Sequence, residues 1–290
     1  MALTQRTQTT RKPWFSLADR SRLTTILIWL ALVVGAVIMF FPIYWMFATT
    51  VMPKEDAYSR ELMLIPQTLI FDNYVNGWTQ SPWLRWYGNT LLIVGVSVFG
   101  LTLFGLLAGF AFAKYEFRGR NLFFLLILST LMIPLQVLLI PRFLLVANLG
   151  WVNTYWSVIG PHLADSFGLF FARQFMLDMP DELLEAARID GASEWTIFRR
   201  IVLPLSKPAI AVLIILGFTA RWNAFAWPLV ALTKKDMYTV QLGINFMKGE
   251  YFTDFPAIIA MVVLSVIPII IVFLLFQRYF IQGITRTGIK

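Results

Sequence analysis

The 290-residue chain has no cysteine and a single histidine. No disulfide framework, thiolate metal site or cysteine nucleophile can be built from it, and a zinc site would lack its usual ligands. Charge is scarce as well: 14% of the residues are Asp, Glu, Lys or Arg, against about 25% in an ordinary soluble domain. The sequence contains no GxxxxGK loop followed by Ser or Thr, no HExxH and no GxSxG. ATP held in the P-loop manner, zincin chemistry and nucleophile-elbow hydrolysis therefore have no support in this chain. What is plentiful is apolar surface. Hydrophobic residues make up 58% of the sequence, including 26 Phe and 11 Trp, and the mean hydropathy is +0.70. Such a chain is neither disordered nor an ordinary soluble domain; it reads as a polytopic membrane protein.

Six stretches satisfy the length of about 20 apolar residues that a bilayer span requires: 25–49, 88–113, 121–145, 151–175, 207–232 and 256–277. The predicted fold is therefore all-α with six transmembrane helices, since a helix bonds its own backbone in hydrocarbon. The run from Leu23 to about Thr50 exceeds the 7–15 residues of a signal-peptide core, and no small-residue cleavage site follows it, so it is read as an anchor. The fourth stretch is the most polar, with His162, Asp165 and Ser166 inside it, and Pro161 should bend it.

Basic residues set the orientation. Arg6, Arg11, Lys12, Arg20 and Arg22 precede the first span; Lys114, Arg118 and Arg120 follow the second; Arg173, Arg188, Arg199, Arg200 and Lys207 lie between the fourth and fifth; Arg278, Arg286 and Lys290 close the chain. These flanks are expected on the cytoplasmic side, which places both termini there and fits an even number of crossings. The net charge of +8 is thus topological and meets anionic lipid headgroups; a nucleic-acid partner is not expected. The expected division is a cytoplasmic tail at 1–24, a first helix and outer loop at 25–85, a five-helix core at 86–277 and a cytoplasmic tail at 278–290.

Gly105, Gly109 and Ala113 repeat every four residues in the second span, a small-residue pattern that lets two helix backbones approach. Tyr74, Trp78, Trp83, Trp86, Tyr87, Trp151 and Tyr155 fit an aromatic belt at the outer interface. Charged residues at membrane depth mark pathways by default. Arg221 follows Lys207 by about 14 residues, hence about 21 Å from the cytoplasmic edge at 1.5 Å per residue. With Trp222 and Asn223 it offers a wall for a sugar face and its hydroxyls, or else it snorkels or forms a structural pair. His162 and Asp165, three apart, share one face of a continuous helix, either as a proton relay or as polar residues lining a pore and holding the kink. Gln136, between Pro134 and Pro141, either lines the path or bonds carbonyls that proline frees.

The segment between the fourth and fifth spans reads Met179-PDELLEAARIDGASEWTIFRRIVLPLSKP-Ala209. Asp181 and Glu182 favour a helix start, Asp190 and Gly191 break it, and Ser193 reads as the N-cap of a second helix through Trp195, Ile197, Phe198 and Ile201 that closes near Pro204. The product is an amphiphilic elbow that could lie in the headgroup layer or dock in a protein groove.

The order Glu185, Ala186, Ala187, three residues, Gly191, nine residues, Ile201, one residue, Leu203, Pro204 resembles the EAA motif of permease subunits of binding-protein-dependent ABC importers. FPIYWMFATTVMPKED at 41–56, the run from Asn89 through Pro208, WNAFAWPL at 222–229 and QRYFIQGITRTGIK at 277–290 are similar to the carbohydrate branch, in particular to the six-span subunit of the maltose system. The branch often carries an acidic residue where this chain has Ala224.

The resemblance implies a type I ABC importer permease fold and a non-catalytic subunit without cofactor of its own, ATP and Mg being bound by a partner ATPase. Its coupling loop would be 179–206, with Glu185, Ala186, Ala187, Gly191, Phe198, Ile201, Leu203 and Pro204 as coupling residues. The implied partners are a paralogous permease, a dimer of ATP-binding subunits and an extracytoplasmic binding protein, in a prokaryotic plasma membrane. The implied cargo is a sugar, oligosaccharide or polyol, with glycerol phosphate as a variant; the loop at 233–255 would face outward and reach into the binding protein. The reading from residues alone leaves a proton-coupled secondary transporter open, with His162, Asp165 and Arg221 as its relay.

Overall fold

The computed structural model describes residues 22–59, 63–248 and 254–287. The expectations for the tail at 1–21, for 60–62, for 249–253 and for 288–290 lie outside the described residues. Among the described residues every regular element is helical. In chain order they are α1 (Arg22–Thr50), α2 (Lys54–Ala57), α3 (Asp72–Thr79), α4 (Trp83–Lys114), α5 (Arg120–Ser129), α6 (Leu135–Asn148), α7 (Tyr155–Ile159), α8 (Ser166–Leu177), α9 (Glu182–Ile189), α10 (Glu194–Ile197), α11 (Leu203–Leu205), α12 (Lys207–Trp222), α13 (Ala226–Ala231), α14 (Val240–Phe246) and α15 (Phe255–Thr287).

Among the described residues three unbroken helices are long and apolar enough to cross a membrane: Thr24–Thr50, Trp83–Lys114 and Phe255–Tyr279. The other expected spans are interrupted. The third bends by 104° between Met132 and Leu135, where Pro134 takes an extended conformation and cannot donate to the turn before it. The fourth is divided into α7, a 3-10 turn at Gly160–His162 and α8, with Asp165 in extended backbone between them. The fifth stops at Trp222 and restarts at Ala226. Counting a bent pair as one span gives at most five, so the six-span count is not established by these helices.

The small-residue stripe is a true contact seam, and it lies within this chain. A Cβ on Gly105 would fall 2.9 Å from the backbone of Gly168, and one on Gly109 would fall 2.6 Å from the Cβ of Ala172. α4 and α8 therefore pack backbone to backbone, closer than any larger side chain permits. α1 packs along α15 and leaves most of its apolar surface exposed. Its C-terminus is tied down by Asn73, whose Nδ2 donates to the carbonyls of Thr50 (3.0 Å) and Met52 (2.8 Å).

The aromatic belt needs correction. Trp83 and Trp86 are fully buried and pack edge to face at 5.0 Å in a core that also holds Trp222 and Met261. Their indole N–H groups donate to the carbonyls of Gly77 and Lys235. The segments around Gly77 and Lys235 fold back over the helix ends and cover these rings, which sequence position alone would leave at the lipid interface.

Candidate functional site

Two regions gather the polar and exposed residues singled out above. The first is the elbow beneath α4 and α8. Glu182 and Glu185 lie in the first turn of α9, where carboxylates complement the helix dipole. The turn out of α9 is closed by Ala192 N–H donating to Ala187 O at 2.9 Å and Gly191 N–H donating to Arg188 O at 3.0 Å. Gly191 has φ +78° with open space around it, so glycine is needed there for backbone conformation and not for room. Ser193 caps α10, its hydroxyl accepting from Thr196 N–H at 3.3 Å. The helix runs on through a π turn at Phe198–Val202 and α11 and closes at Leu205, beside Pro204 as expected, where the chain bends by 73° into α12.

The apolar side of the elbow rests on the ends of α4 and α8. Leu184, Ile197, Phe198 and Val202 are buried with Leu106, Phe110, Ala172 and Met176. Phe198, 4% exposed, lies 5.7 Å from the ring of Phe110. Of the expected coupling residues it is thus held inside this chain, against Phe110. Ala187, Ile201 and Leu203 pack against the same cluster, while Glu185, Ala186, Gly191 and Pro204 are exposed. Two outward apolar groups lie outside the motif positions: Trp195, already named with the elbow, and Ile189, which was not singled out. Ile189 is 86% exposed and Trp195, stacked on Phe198, is 61% exposed. The signal for Ile189 was present: an apolar residue placed at a helix end beside Asp190-Gly191.

Polar contacts fix the elbow to α4. Lys114 donates to Met179 O (2.6 Å) and to Asp181 Oδ1 (2.7 Å). Arg188 grips Glu194 with Nε to Oε1 at 2.7 Å and Nη2 to Oε2 at 3.3 Å, and Tyr115 donates its hydroxyl to the same carboxylate. Donation by Arg188 and then by Tyr115 holds the Glu194 carboxyl below its ordinary value. Burial first, and then the Glu194 contact, pushes the Tyr115 phenol up to about 12. It stays a donor throughout the physiological range.

The second region lies where the interrupted helices meet. Arg221, its side chain 9% exposed, donates from Nη2 to Asp165 Oδ2 at 3.1 Å and to His162 O at 3.3 Å, and from Nη1 to Gly217 O at 3.4 Å. Asp165 caps α8 by accepting from Phe167 N–H at 2.8 Å. The hydroxyls of Thr130 and Ser166 meet at 2.7 Å, which brings the end of the α5 segment to the start of α8. A cavity of about 460 Å³ opens here, lined by Leu101, Asp165, Phe167, Leu216, Gly217, Thr219, Ala220 and Arg221.

The other expected path residues fare differently. His162 and Asp165 do not share a helix face: the first ends a 3-10 turn and the second stands between helices. Trp222 is fully buried and donates to Ser265 O at 2.9 Å, so it is core and not a wall. Asn223 is exposed, donating to Thr219 O and accepting from Gln241. Gln136 is exposed in the first turn of α6, and no hydrogen bond links it to Arg221 or Asp165 among the described residues. Arg142 was missed altogether. Its guanidinium lies 5.3 Å from the ring centre of Trp227, and a lone charge one residue after Pro141 in an apolar run was the available sign. Among the described residues no group of three or more His, Cys, Asp or Glu side chains could hold a metal ion.

Residues 101–286 match the family described as binding-protein-dependent transport system inner membrane component. The chain is 39% identical over 277 residues to the arabinooligosaccharides transport system permease protein AraQ of Halalkalibacterium halodurans, covering 93% of this chain and 99% of that one. It is 35% identical over 281 residues to the sn-glycerol-3-phosphate transport system permease protein UgpE of Escherichia coli, covering 94% and 97%. Its fold is similar to that of a crystallised bacterial ABC transporter involved in the import of the acidic polysaccharide alginate, with a TM-score of 0.80 at 24% identity over 93% of this chain and 100% of that one.

Proposed function

This chain belongs to the family of binding-protein-dependent transport system inner membrane components, and from that premise we propose that it is the permease subunit of an ATP-driven importer for a sugar, oligosaccharide or polyol. It supplies half of the translocation path; a paralogous permease supplies the other half, and an extracytoplasmic binding protein delivers the ligand. It carries out no chemistry itself, and ATP and Mg are bound by a pair of partner ATPase subunits. In the assembled importer the chain crosses the membrane six times with both termini cytoplasmic, so the bent third, fourth and fifth segments each count as one crossing. The relatives named for arabinooligosaccharides and glycerol phosphate favour a hydroxyl-rich cargo.

The observation that carries this reading is the elbow. Its inner face is locked to α4 and α8, while Leu183, Glu185, Ala186, Ile189 and Trp195 stand outward on a rigid turn. Closure of the ATPase pair on ATP would move this handle, and the bed formed by Leu106, Phe110 and Met176 would pass the motion to the helix breaks around Asp165 and Arg221. Alternating access follows from a rigid handle acting on interrupted spans.

Purification of the complex tests it. An ATPase should co-elute with the wild-type chain and be lost with Glu185→Lys or Gly191→Asp. Uptake that continues without any ATPase, or that an uncoupler abolishes while ATP is held constant, would overturn the proposal in favour of a secondary transporter.

A further inference from the structure

Two guanidinium groups stand near the helix breaks with too little negative charge to balance them. Arg221 pairs with Asp165, and among the described residues Arg142 has no ion pair, so two fixed positive charges stand against one negative charge. Both remain charged at any accessible pH. Position 224, within reach of the same break, is Ala and adds nothing. An unbalanced charge taken out of water costs several kcal/mol unless a counter-charge joins it. The hydrogen-bonding tally points the same way: Arg221 Nε and Arg142 Nη1 are buried N–H groups without a partner, although buried donors are nearly always satisfied. Arg221 and Asp165 line the cavity of about 460 Å³, and the Phe167 ring lines it with them.

Building on the permease reading above, we propose that this cavity is a subsite for an anionic group, a carboxylate or phosphate, carried by the transported carbohydrate. Arg221 is its direct donor, with Nε available once the side chain shifts. Arg142 supplies the second positive charge from behind, steadied on Trp227. Asp165 keeps Arg221 oriented while the site is empty and moderates the affinity so that the ligand can leave. Phe167 offers an apolar face to the sugar ring.

The test uses the whole transporter, purified with its own partner subunits in phosphatidylcholine nanodiscs, and measures binding calorimetrically with trigalacturonate and maltotriose. Trigalacturonate should bind at least tenfold more tightly than maltotriose, and added salt should narrow the gap. Arg221→Gln should weaken trigalacturonate binding about tenfold or more, as expected for loss of a charge-assisted hydrogen bond, and Arg221→Lys should retain part of it. Since Arg221→Gln strands Asp165, the double variant Arg221→Gln with Asp165→Asn serves as the folded, neutral reference and should discriminate poorly between the two probes. Equal binding of the two probes by the wild type, or undiminished acidic binding by the double variant, overturns the proposal. So does stabilisation of the wild type by phosphatidylglycerol nanodiscs, absent in Arg142→Gln and unaccompanied by any response to trigalacturonate, because the counter-anion is then a lipid headgroup. None of these outcomes touches the co-elution of an ATPase, so failure here leaves the permease reading standing.

Discussion

Gly109→Ala is the smallest perturbation that reaches the coupling machinery, because it adds one methyl group to the seam above the elbow. That Cβ would lie 2.6 Å from Ala172 Cβ, 2.8 Å from Arg173 N and 2.9 Å from Ala172 C. Non-bonded carbons settle at about 3.5–4.0 Å, so α4 and α8 must part by about 1 Å. Two of the three offending atoms are backbone, which leaves no rotamer to relieve the strain. Overpacking costs about 1–3 kcal/mol and belongs here at the upper end, about 2–3 kcal/mol. Alanine returns about 1 kcal/mol of helix propensity, for a net loss of about 1–2 kcal/mol. Gly95→Ala is the control on the same helix: nothing lies within 4 Å of its added Cβ, so it gains the propensity at no steric cost. Thermal melts of the purified complex should therefore place Gly109→Ala several degrees below wild type and Gly95→Ala at or above it. Adding Ala172→Gly should restore part of the loss, since it removes the 2.6 Å contact and leaves the two backbone ones. Seam and bed are continuous through Leu106, Phe110 and Ala172, so Gly109→Ala should also lower uptake per ATP hydrolysed. If Gly109→Ala melts at or above Gly95→Ala, the seam is not close-packed in the assembled protein and the transmission argument fails.

The elbow yields two further expectations. Phe198→Ala removes a buried ring and should cost about 3–5 kcal/mol of stability, whereas Trp195→Ala and Ile189→Ala, at exposed positions, should leave the melt within about 0.5 kcal/mol of wild type and instead weaken co-purification of the ATPase; a reversed pattern would mean that the elbow's inner and outer faces have been exchanged here. Glu194→Gln should lose the Arg188 and Tyr115 contacts at a cost below about 1 kcal/mol, because the pair is half exposed. The Glu194 carboxyl is held below its ordinary value of 4.5, so its contribution is complete above that pH and fades as pH falls through the lowered folded-state value. The gap between wild type and Glu194→Gln in a pH series of melts should be constant from neutrality to about pH 4.5 and close below it; a gap that widens toward acid would contradict the arrangement.

Local chemistry was the legible part of this fold. Apolar length alone located α1, α4 and α15, because a span needs only enough hydrocarbon contact and no partner to be recognised. Likewise Gly191 and Ser193 announced the elbow, since a positive φ and an N-cap are decided within four residues of themselves. What stayed hidden depends on partners distant in sequence. Trp83 and Trp86 have the composition of an interfacial belt, yet Trp83 donates to Gly77 O and Trp86 meets the segment around Lys235 to Gly243, some 150 residues later; Gly243 leaves so little room that a Cβ there would fall 2.1 Å from the Trp86 ring. Phe198 has the look of a docking residue for the same reason, because the ring it faces, Phe110, belongs to another helix.

The cluster around Arg221 and Asp165 shows most clearly where sequence reading stops. Spacing put His162 and Asp165 on one face because three residues apart means one face only if the helix is continuous. The chain is interrupted at Leu163–Asp165, and that interruption frees the His162 carbonyl and the Asp165 carboxylate to be gathered by Arg221. Pro134 and the stop at Trp222 interrupt the neighbouring segments as well. A polar residue in an apolar run thus serves as a marker of a break, and the breaks, by unpairing backbone groups that hydrocarbon cannot satisfy, are what draw the charges together. On this argument the same charges would separate if the helices were made continuous. Arg221 then loses the His162 carbonyl and the Asp165 carboxylate and keeps only Gly217 O on its own helix, and the cavity beside it loses the held guanidinium that distinguishes it from a gap between apolar helices.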